Sequence, residues 1–304
     1  MRYLHLDVFT NRALEGNQLA VFPEPGNLDT PMMQAITREM NFSECTFIFP
    51  PTGSGDIKMR IFTPGEELPM AGHPTVGSTF ALAAEGTIPQ GCTDFVFELG
   101  VGPTPVSLEW QDGKLSFVWM TQPLPKFGGL ITDRMALASA IGVEAIDLTA
   151  DAPIQVVSCG NPFIFARLAT RAAVDAVTVD RKAFTRCCND AGIETLPTFF
   201  FTTEGKPEAG ADQTVYSRML APTFGIAEDP ATGSACGPLG CYLLHYGIVS
   251  ADAARNILNV QGVQMKRASR IYISIENKNG EITRVRVGGQ SVMVGHGELT
   301  APGA

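Results

Sequence analysis

The chain opens on alternation. Arg2-Tyr3-Leu4-His5-Leu6-Asp7-Val8-Phe9 places apolar side chains at every second position, the period of a strand with one face on a core. Helix periodicity comes next. Thr30 is placed to N-cap a helix started by Pro31, with Met32, Met33, Ile36 and Met40 as its apolar positions. Asp133 can cap a helix over 135–141, and Ser250 one over 253–258. Met40-Asn41-Phe42-Ser43-Glu44-Cys45-Thr46-Phe47-Ile48-Phe49 joins a helix end to a strand. In that strand Glu44, Thr46 and Ile48 share one face, and Cys45, Phe47 and Phe49 the other. Two hairpins are written in the same way. Strands 105–109 and 115–118 flank Asp112-Gly113, and strands 271–275 and 285–287 flank Asn279-Gly280. Val156-Val157 and Phe163-Ile164-Phe165 read as strands around Gly160-Asn161.

The pattern occurs twice. Arg60-Ile61-Phe62-Thr63-Pro64 followed by Leu68-Pro69-Met70-Ala71-Gly72-His73-Pro74-Thr75 is echoed by Arg218-Met219-Leu220-Ala221-Pro222 followed by Asp229-Pro230-Ala231-Thr232-Gly233-Ser234-Ala235. Gly72 aligns with Gly233, Leu82 with Leu243 and Gly86 with Gly247, each pair 161 positions apart. Gly100-Val101 and Gly262-Val263 follow at an offset of 162, and Gly16-Asn17 precedes Gly160-Asn161 by 144. Several matches in one order imply an internal duplication. The expectation is two similar domains, 1–122 and 123–304, with a tail that can return to the first. Two like domains facing one another would make a cleft, a common place for a small-molecule site.

Composition narrows the class. The 304 residues are 45% hydrophobic and 17% charged, too apolar for a disordered chain, and the length suits two domains. The net charge of −9 argues against a nucleic-acid or anionic-membrane partner, which would call for basic stripes. A small acidic substrate is still allowed, because backbone amides bind anions without Lys or Arg. No apolar stretch reaches the length of a membrane span or a signal core. Seven cysteines without a CxxC, and no HExxH, point to a reduced cytoplasmic protein with no metal site.

The candidate chemistry gathers where the repeat is strongest. Gly72-His73-Pro74-Thr75 and Thr232-Gly233-Ser234-Ala235 each start a small-residue helix, whose free N–H groups can hold a carboxylate; close-packed core helices are the plainer alternative. Glu44, heading an apolar strand, can be desolvated into the range useful for acid–base work, or can be an ordinary solvated strand end. Asp229 can serve the site or simply form an Asx-type turn, and His73 can shuttle a proton or be a structural histidine.

These blocks resemble the PhzF family of phenazine biosynthesis-like proteins over nearly the whole chain. The resemblance rests on Asp7-Val8-Phe9-Thr10, Gly16-Asn17 with Ala20-Val21, Asn41-Phe42-Ser43-Glu44, Arg60-Ile61-Phe62-Thr63-Pro64, Glu67-Leu68-Pro69-Met70-Ala71-Gly72-His73-Pro74-Thr75, Gly160-Asn161-Pro162 and Glu228-Asp229-Pro230-Ala231-Thr232-Gly233-Ser234-Ala235. It implies an α+β fold of the diaminopimelate epimerase type: two pseudo-symmetric domains, each a curved, mostly antiparallel sheet wrapped around a central helix. It also implies a cofactor-independent isomerase, metal-free and homodimeric, that moves a proton in a small carboxylate substrate. In the name-giving member that substrate is a dihydro-hydroxyanthranilate. Matched motif by motif, Glu44 would be the general acid/base, supported by His73, Asp229 and Ser234. Asn17, Ser43, Gly72, Thr232 and Gly233 would bind substrate. The racemase branch of the fold uses one cysteine from each half, and neither Gly72-His73 nor Thr232-Gly233-Ser234 holds one. Met70 stands where an aromatic is common in the family. An amino-acid epimerase, racemase or dehydratase of the same fold, or a binding protein without turnover, are the alternatives.

Overall fold

The computed structural model describes residues 1–300. The chain folds into two compact units. One runs from Met1 to Thr121 and takes in the C-terminal segment from Val287; the other is Gln122–Arg286.

In the first unit β1 (Arg2–Val8), β2 (Asn17–Phe22), α1 (Thr30–Met40), β3 (Glu44–Phe49), β4 (Ile57–Phe62) and the short β5 (Glu67–Leu68) lead to α2 (Gly72–Ala84). After α2 come β6 (Asp94–Leu99), β7 (Gly102–Gln111) and β8 (Lys114–Gln122). The second unit repeats this plan. It holds β9 (Lys126–Ile131), α3 (Arg134–Ile141), β10 (Ile154–Ser158), β11 (Pro162–Arg167), α4 (Arg171–Ala176), α5 (Arg181–Asp190), β12 (Thr198–Thr202), β13 (Gln213–Ala221), β14 (Ile226–Asp229) and α6 (Gly233–His245). Then follow β15 (Ile257–Gln261), β16 (Ser269–Lys278) and β17 (Glu281–Gly289), and β18 (Ser291–Glu298) pairs antiparallel with β1.

The duplication extends to strand pairing. In the first unit β18, β1 and β2 are antiparallel neighbours, β2–β3 is parallel, β3–β4 antiparallel, β4–β6 parallel and β6–β7 antiparallel. In the second, β9–β10–β11, β11–β12, β12–β13, β13–β15 and β15–β16 repeat the same series of directions. In each unit the short strand before the central helix also pairs with the late half of its neighbour, β5 on β4 and β14 on β13.

In each unit the strands lie around one helix. Ten of the thirteen residues of α2 are buried, and so are ten of the thirteen of α6. A helix without a polar face must be packed on all sides. α2 lies against β1, β2, β3 and β18, and α6 against β10, β11 and β16. The fit is close enough to demand glycine: a Cβ on Gly77 would meet Leu19 and Val8 at 2.5 and 2.6 Å, and one on Gly240 would meet Ile273 at 2.6 Å. The alternation read in 44–49 is seen directly. Thr46 Oγ1 and Ser78 Oγ of α2 share a 2.9 Å hydrogen bond, while Cys45 and Phe47 turn to the opposite side and pack with Met33 and Ile36 of α1.

Both hairpin turns form as Asp112-Gly113 and Asn279-Gly280, with φ of 50° and 78°, and 53° and 86°. Two expectations need correction. The cap of α1 is Asp29, whose carboxylate accepts from Met32 N at 2.9 Å; Thr30 is already helical, and its hydroxyl accepts from Arg60 instead. Segment 253–258 is not a helix. Ser250 does cap Ala253 N, but one turn over Ala253–Arg255 gives way to β15, because Ile257 and Leu258 are taken up by pairing with β13 and β16. Among the described residues no helix is long and apolar enough to cross a membrane, and no group of acidic, histidine and cysteine side chains suits a metal ion.

Candidate functional site

The nine residues singled out by sequence fall into two groups, one in each unit. The scaffold beneath both is the same. Arg60 grips Glu67 with two hydrogen bonds, Nε–Oε1 at 2.7 Å and Nη2–Oε2 at 2.6 Å. Arg218 grips Glu228 likewise at 3.0 and 2.8 Å. Each pair anchors the strand that leads to a helix start. Two residues later Pro69 and Pro230 ride over a glycine. A Cβ on Gly100 would come within 2.9 Å of Pro69 Cα, and one on Gly262 within 2.6 Å of the Pro230 carbonyl oxygen. The repeated Glu-x-Pro-x-x-Gly and the later glycine are thus one device, which fixes where α2 and α6 begin. Neither helix is capped by a side chain. At α2 the N-cap is Ala71, which has no acceptor to offer. First-turn N–H groups left in this way carry partial positive charge.

The first unit places a carboxylate beside a histidine at this position. Glu44, the first residue of β3, is 16% exposed at its side chain, and its Oε2 lies 3.3 Å from His73 Nε2. His73 is the second residue of α2 and is buried. Burial pushes its imidazole down to about 3, against the partial opposition of a hydrogen bond with the Gln18 backbone, so the ring is neutral through the physiological range. Its surroundings accommodate either neutral tautomer. Asn17 Nδ2, 3.4 Å from Nδ1, is a donor, and the Gln18 backbone is an acceptor. At 3.3 Å the two atoms are close but not aligned as a hydrogen bond; brought into line, Nε2–H would donate to an ionised Glu44, and a bare Nε2 would accept from a protonated one. Asn17 begins β2 and is buried, Ser43 is half-buried just before Glu44, and Gly72 opens the helix.

In the second unit a different polar set stands on the same scaffold. Asp229 ends β14 half-buried, and its Oδ2 accepts from the Thr232 hydroxyl at 2.5 Å. Thr232 is the N-cap residue of α6, yet its side chain points to Asp229 rather than to the helix N–H groups. Gly233 and Ser234 form the first turn, with Ser234 half-buried. Sequence reading missed Gln261, the fully buried last residue of β15. It accepts from Thr232 N at 3.1 Å and donates to the Asp229 carbonyl at 2.8 Å and to Thr232 Oγ1 at 2.9 Å. No motif announces it. The available signal was its place directly before the repeated Gly262-Val263.

Strand register identifies what stands opposite Glu44 in the duplication. Arg60 pairs with Phe47, and Arg218 with Phe200, which sets Phe47 and Phe200 as equivalents and Glu44 against Pro197. The β2–β3 and β11–β12 registers agree, aligning Leu19 with Phe163 at the offset of 144 already seen in Gly16-Asn17. His73 is matched by Ser234. The thiols do not make up the difference. Cys45 is buried on the α1 side, where burial raises it to about 12, and burial holds the Cys236 thiol far above its ordinary range.

The sequence matches the family described as phenazine biosynthesis-like protein (PhzC-PhzF) over residues 6–297. It is similar to trans-2,3-dihydro-3-hydroxyanthranilate isomerase of Pseudomonas chlororaphis, 36% identical over 300 residues that cover 98% of each chain. It is also similar to the uncharacterized isomerase YddE of Escherichia coli K12, at 30% identity over 97% of this chain and 96% of that one. A PhzF-family phenazine biosynthesis protein from Bacillus anthracis shares the fold with a TM-score of 0.87 and 25% identity, over 99% of both chains. A probable proline racemase from Agrobacterium radiobacter K84 does so at 0.64 and 13%, over 98% of this chain and 92% of that one.

Proposed function

The chain belongs to the phenazine biosynthesis-like (PhzC-PhzF) family and is an isomerase, and from that premise we propose that Glu44 is the general acid/base that moves a proton within a small carboxylate substrate. The observation that carries this reading is the Glu44–His73 contact at 3.3 Å beside an uncapped helix start. In the reaction the Glu44 carboxylate takes a proton from one carbon, breaking that C–H bond, and the protonated carboxyl returns it to another as the double bond shifts. Substrate and product are isomers, so no electrons are gained or lost. His73 serves both halves of the cycle, because a neutral ring can donate to the ionised carboxylate and accept from the protonated one. Gly72, Asn17 and Ser43 bind substrate, with first-turn N–H groups of α2 stabilising the negative charge that builds on a carboxylate-conjugated carbon acid.

For the second unit we assign Asp229 and Ser234 as supporting polar residues, and Thr232 and Gly233 as substrate-binding ones. A symmetric two-base epimerase is less well supported, since Pro197 stands in the place of Glu44. The Pseudomonas chlororaphis relative suggests trans-2,3-dihydro-3-hydroxyanthranilate as the first substrate to try. Incubation with it in D2O should place deuterium in the product. Glu44→Gln should lower kcat by about 10²–10⁴-fold, and full activity in that variant would overturn the assignment.

A further inference from the structure

We infer that Gln261 is a positioning residue for Asp229, acting through the hydroxyl of Thr232. The argument depends on where protons can lie. Gln261 meets two backbone groups whose roles are fixed: Thr232 N–H can only donate and the Asp229 carbonyl can only accept. Together they set the amide, with Oε1 towards Thr232 N and Nε2 towards Asp229 O. Nε2 then also donates to Thr232 Oγ1, so the hydroxyl proton is left for Asp229 Oδ2 at 2.5 Å. The amide thus makes Thr232 a donor to Asp229 and draws its oxygen away from the N–H groups of α6 that a threonine at this position would ordinarily cap.

The first unit shows that the fold does not require this arrangement. At offsets of 161 and 162, Leu68 stands for Asp229, Ala71 for Thr232 and Leu99 for Gln261. Leu99 ends β6 as Gln261 ends β15. Pro69, Gly72 and Gly100 match Pro230, Gly233 and Gly262, so the scaffold is common while all three polar residues are replaced by apolar ones as a set. A helix start of this kind can be built without them. Their presence in the second unit serves the state of Asp229, and the inference rests on the assignment of Asp229 to the site above. The thiol of Cys236, nearby on α6, stays protonated and does not compete for the role.

The experiment follows the Asp229 carboxyl carbon by ¹³C NMR during a pH titration, which needs no substrate. Loss of the Thr232 hydroxyl donor in Thr232→Val should raise the Asp229 midpoint by about one pH unit. Gln261→Leu, which copies the first unit, should raise it similarly, and the double variant should add nothing further. Thr232→Ser should restore the wild-type midpoint. In turnover, Gln261→Leu should lower kcat about tenfold with KM little changed. Thr232→Val retains both backbone bonds of Gln261, so it remains informative if Gln261→Leu fails to fold. An unmoved midpoint in folded Thr232→Val, or additive shifts in the double variant, would overturn the inference. Failure of the Glu44 assignment shows separately, as an unimpaired Glu44→Gln with the Asp229 titration unaffected.

Discussion

The starts of α2 and α6 are built to one plan and carry different chemistry. Each has a bidentate Arg–Glu pair, a proline packed on a glycine and an uncapped helix start. On the first stand Glu44 and a neutral His73; on the second, Asp229, Thr232 and Gln261. What recurs is therefore what sets the backbone, and what differs is the polar set it presents. The duplication preserved a way of exposing a helix start and left each copy to acquire its own side chains.

The shared scaffold is not equally stressed in the two units, and this gives the largest expected effect. Arg218 is 11% exposed and Glu228 13%, and Arg218 Nη1 also donates to the carbonyls of Val174, Asp175 and Val177 around the end of α4. Arg60 and Glu67 are more exposed, at 23% and 37%. Arg218→Met strands a buried carboxylate and three carbonyls, and should cost about 3–5 kcal/mol. Arg60→Met should cost about 1 kcal/mol or less. Urea unfolding of the two variants tests this, and equal losses would show that the pairs do not differ as their burial suggests.

A smaller contrast lies in the glycines. Gly262 has a φ of 75°, and a Cβ there would meet the Arg267 carbonyl oxygen at 2.4 Å; Gly100 has ordinary backbone geometry and meets Pro69 at 2.9 Å. Gly262→Ala should cost about 2–4 kcal/mol and Gly100→Ala roughly half that. A Gly262→Ala variant no less stable than Gly100→Ala would mean that the Pro230 loop gives way more easily than its contacts suggest.

How far the sequence revealed these features depends on distance along the chain. Asn279-Gly280, Asp112-Gly113 and the two faces of 44–49 were legible because turn chemistry and a period of two are local. The cap at Asp29 was missed by one position because Asp29 and Thr30 are both good caps, and the choice was made by Arg60, thirty residues away. Segment 253–258 went to a strand because its partners, β13 and β16, come from elsewhere in the chain. Gln261 was invisible for the same reason. Its three bonds reach back 29 and 32 residues, and a lone glutamine at a strand end has no local signature.

The last contrast, absent at neutral pH and growing only below it, is between the histidine of the first unit and the serine that matches it in the second. Burial holds His73 at about 3, while in the unfolded chain it titrates near its ordinary 6.5. Between those values the unfolded state binds the proton that the folded state refuses. Stability should therefore be complete above pH 6.5 and fall as the pH drops towards 3, at most about 1.4 kcal/mol per pH unit. Ser234, in the equivalent position of the second unit, does not titrate in this range and adds no such slope. Replacing His73 by Gln removes the ionisation and keeps a polar side chain facing Glu44. The urea midpoint of His73→Gln should be the flatter of the two between pH 6.5 and 4. Parallel profiles would mean that the ring takes up its proton without leaving the folded state, and that its neutrality beside Glu44 is not enforced by burial.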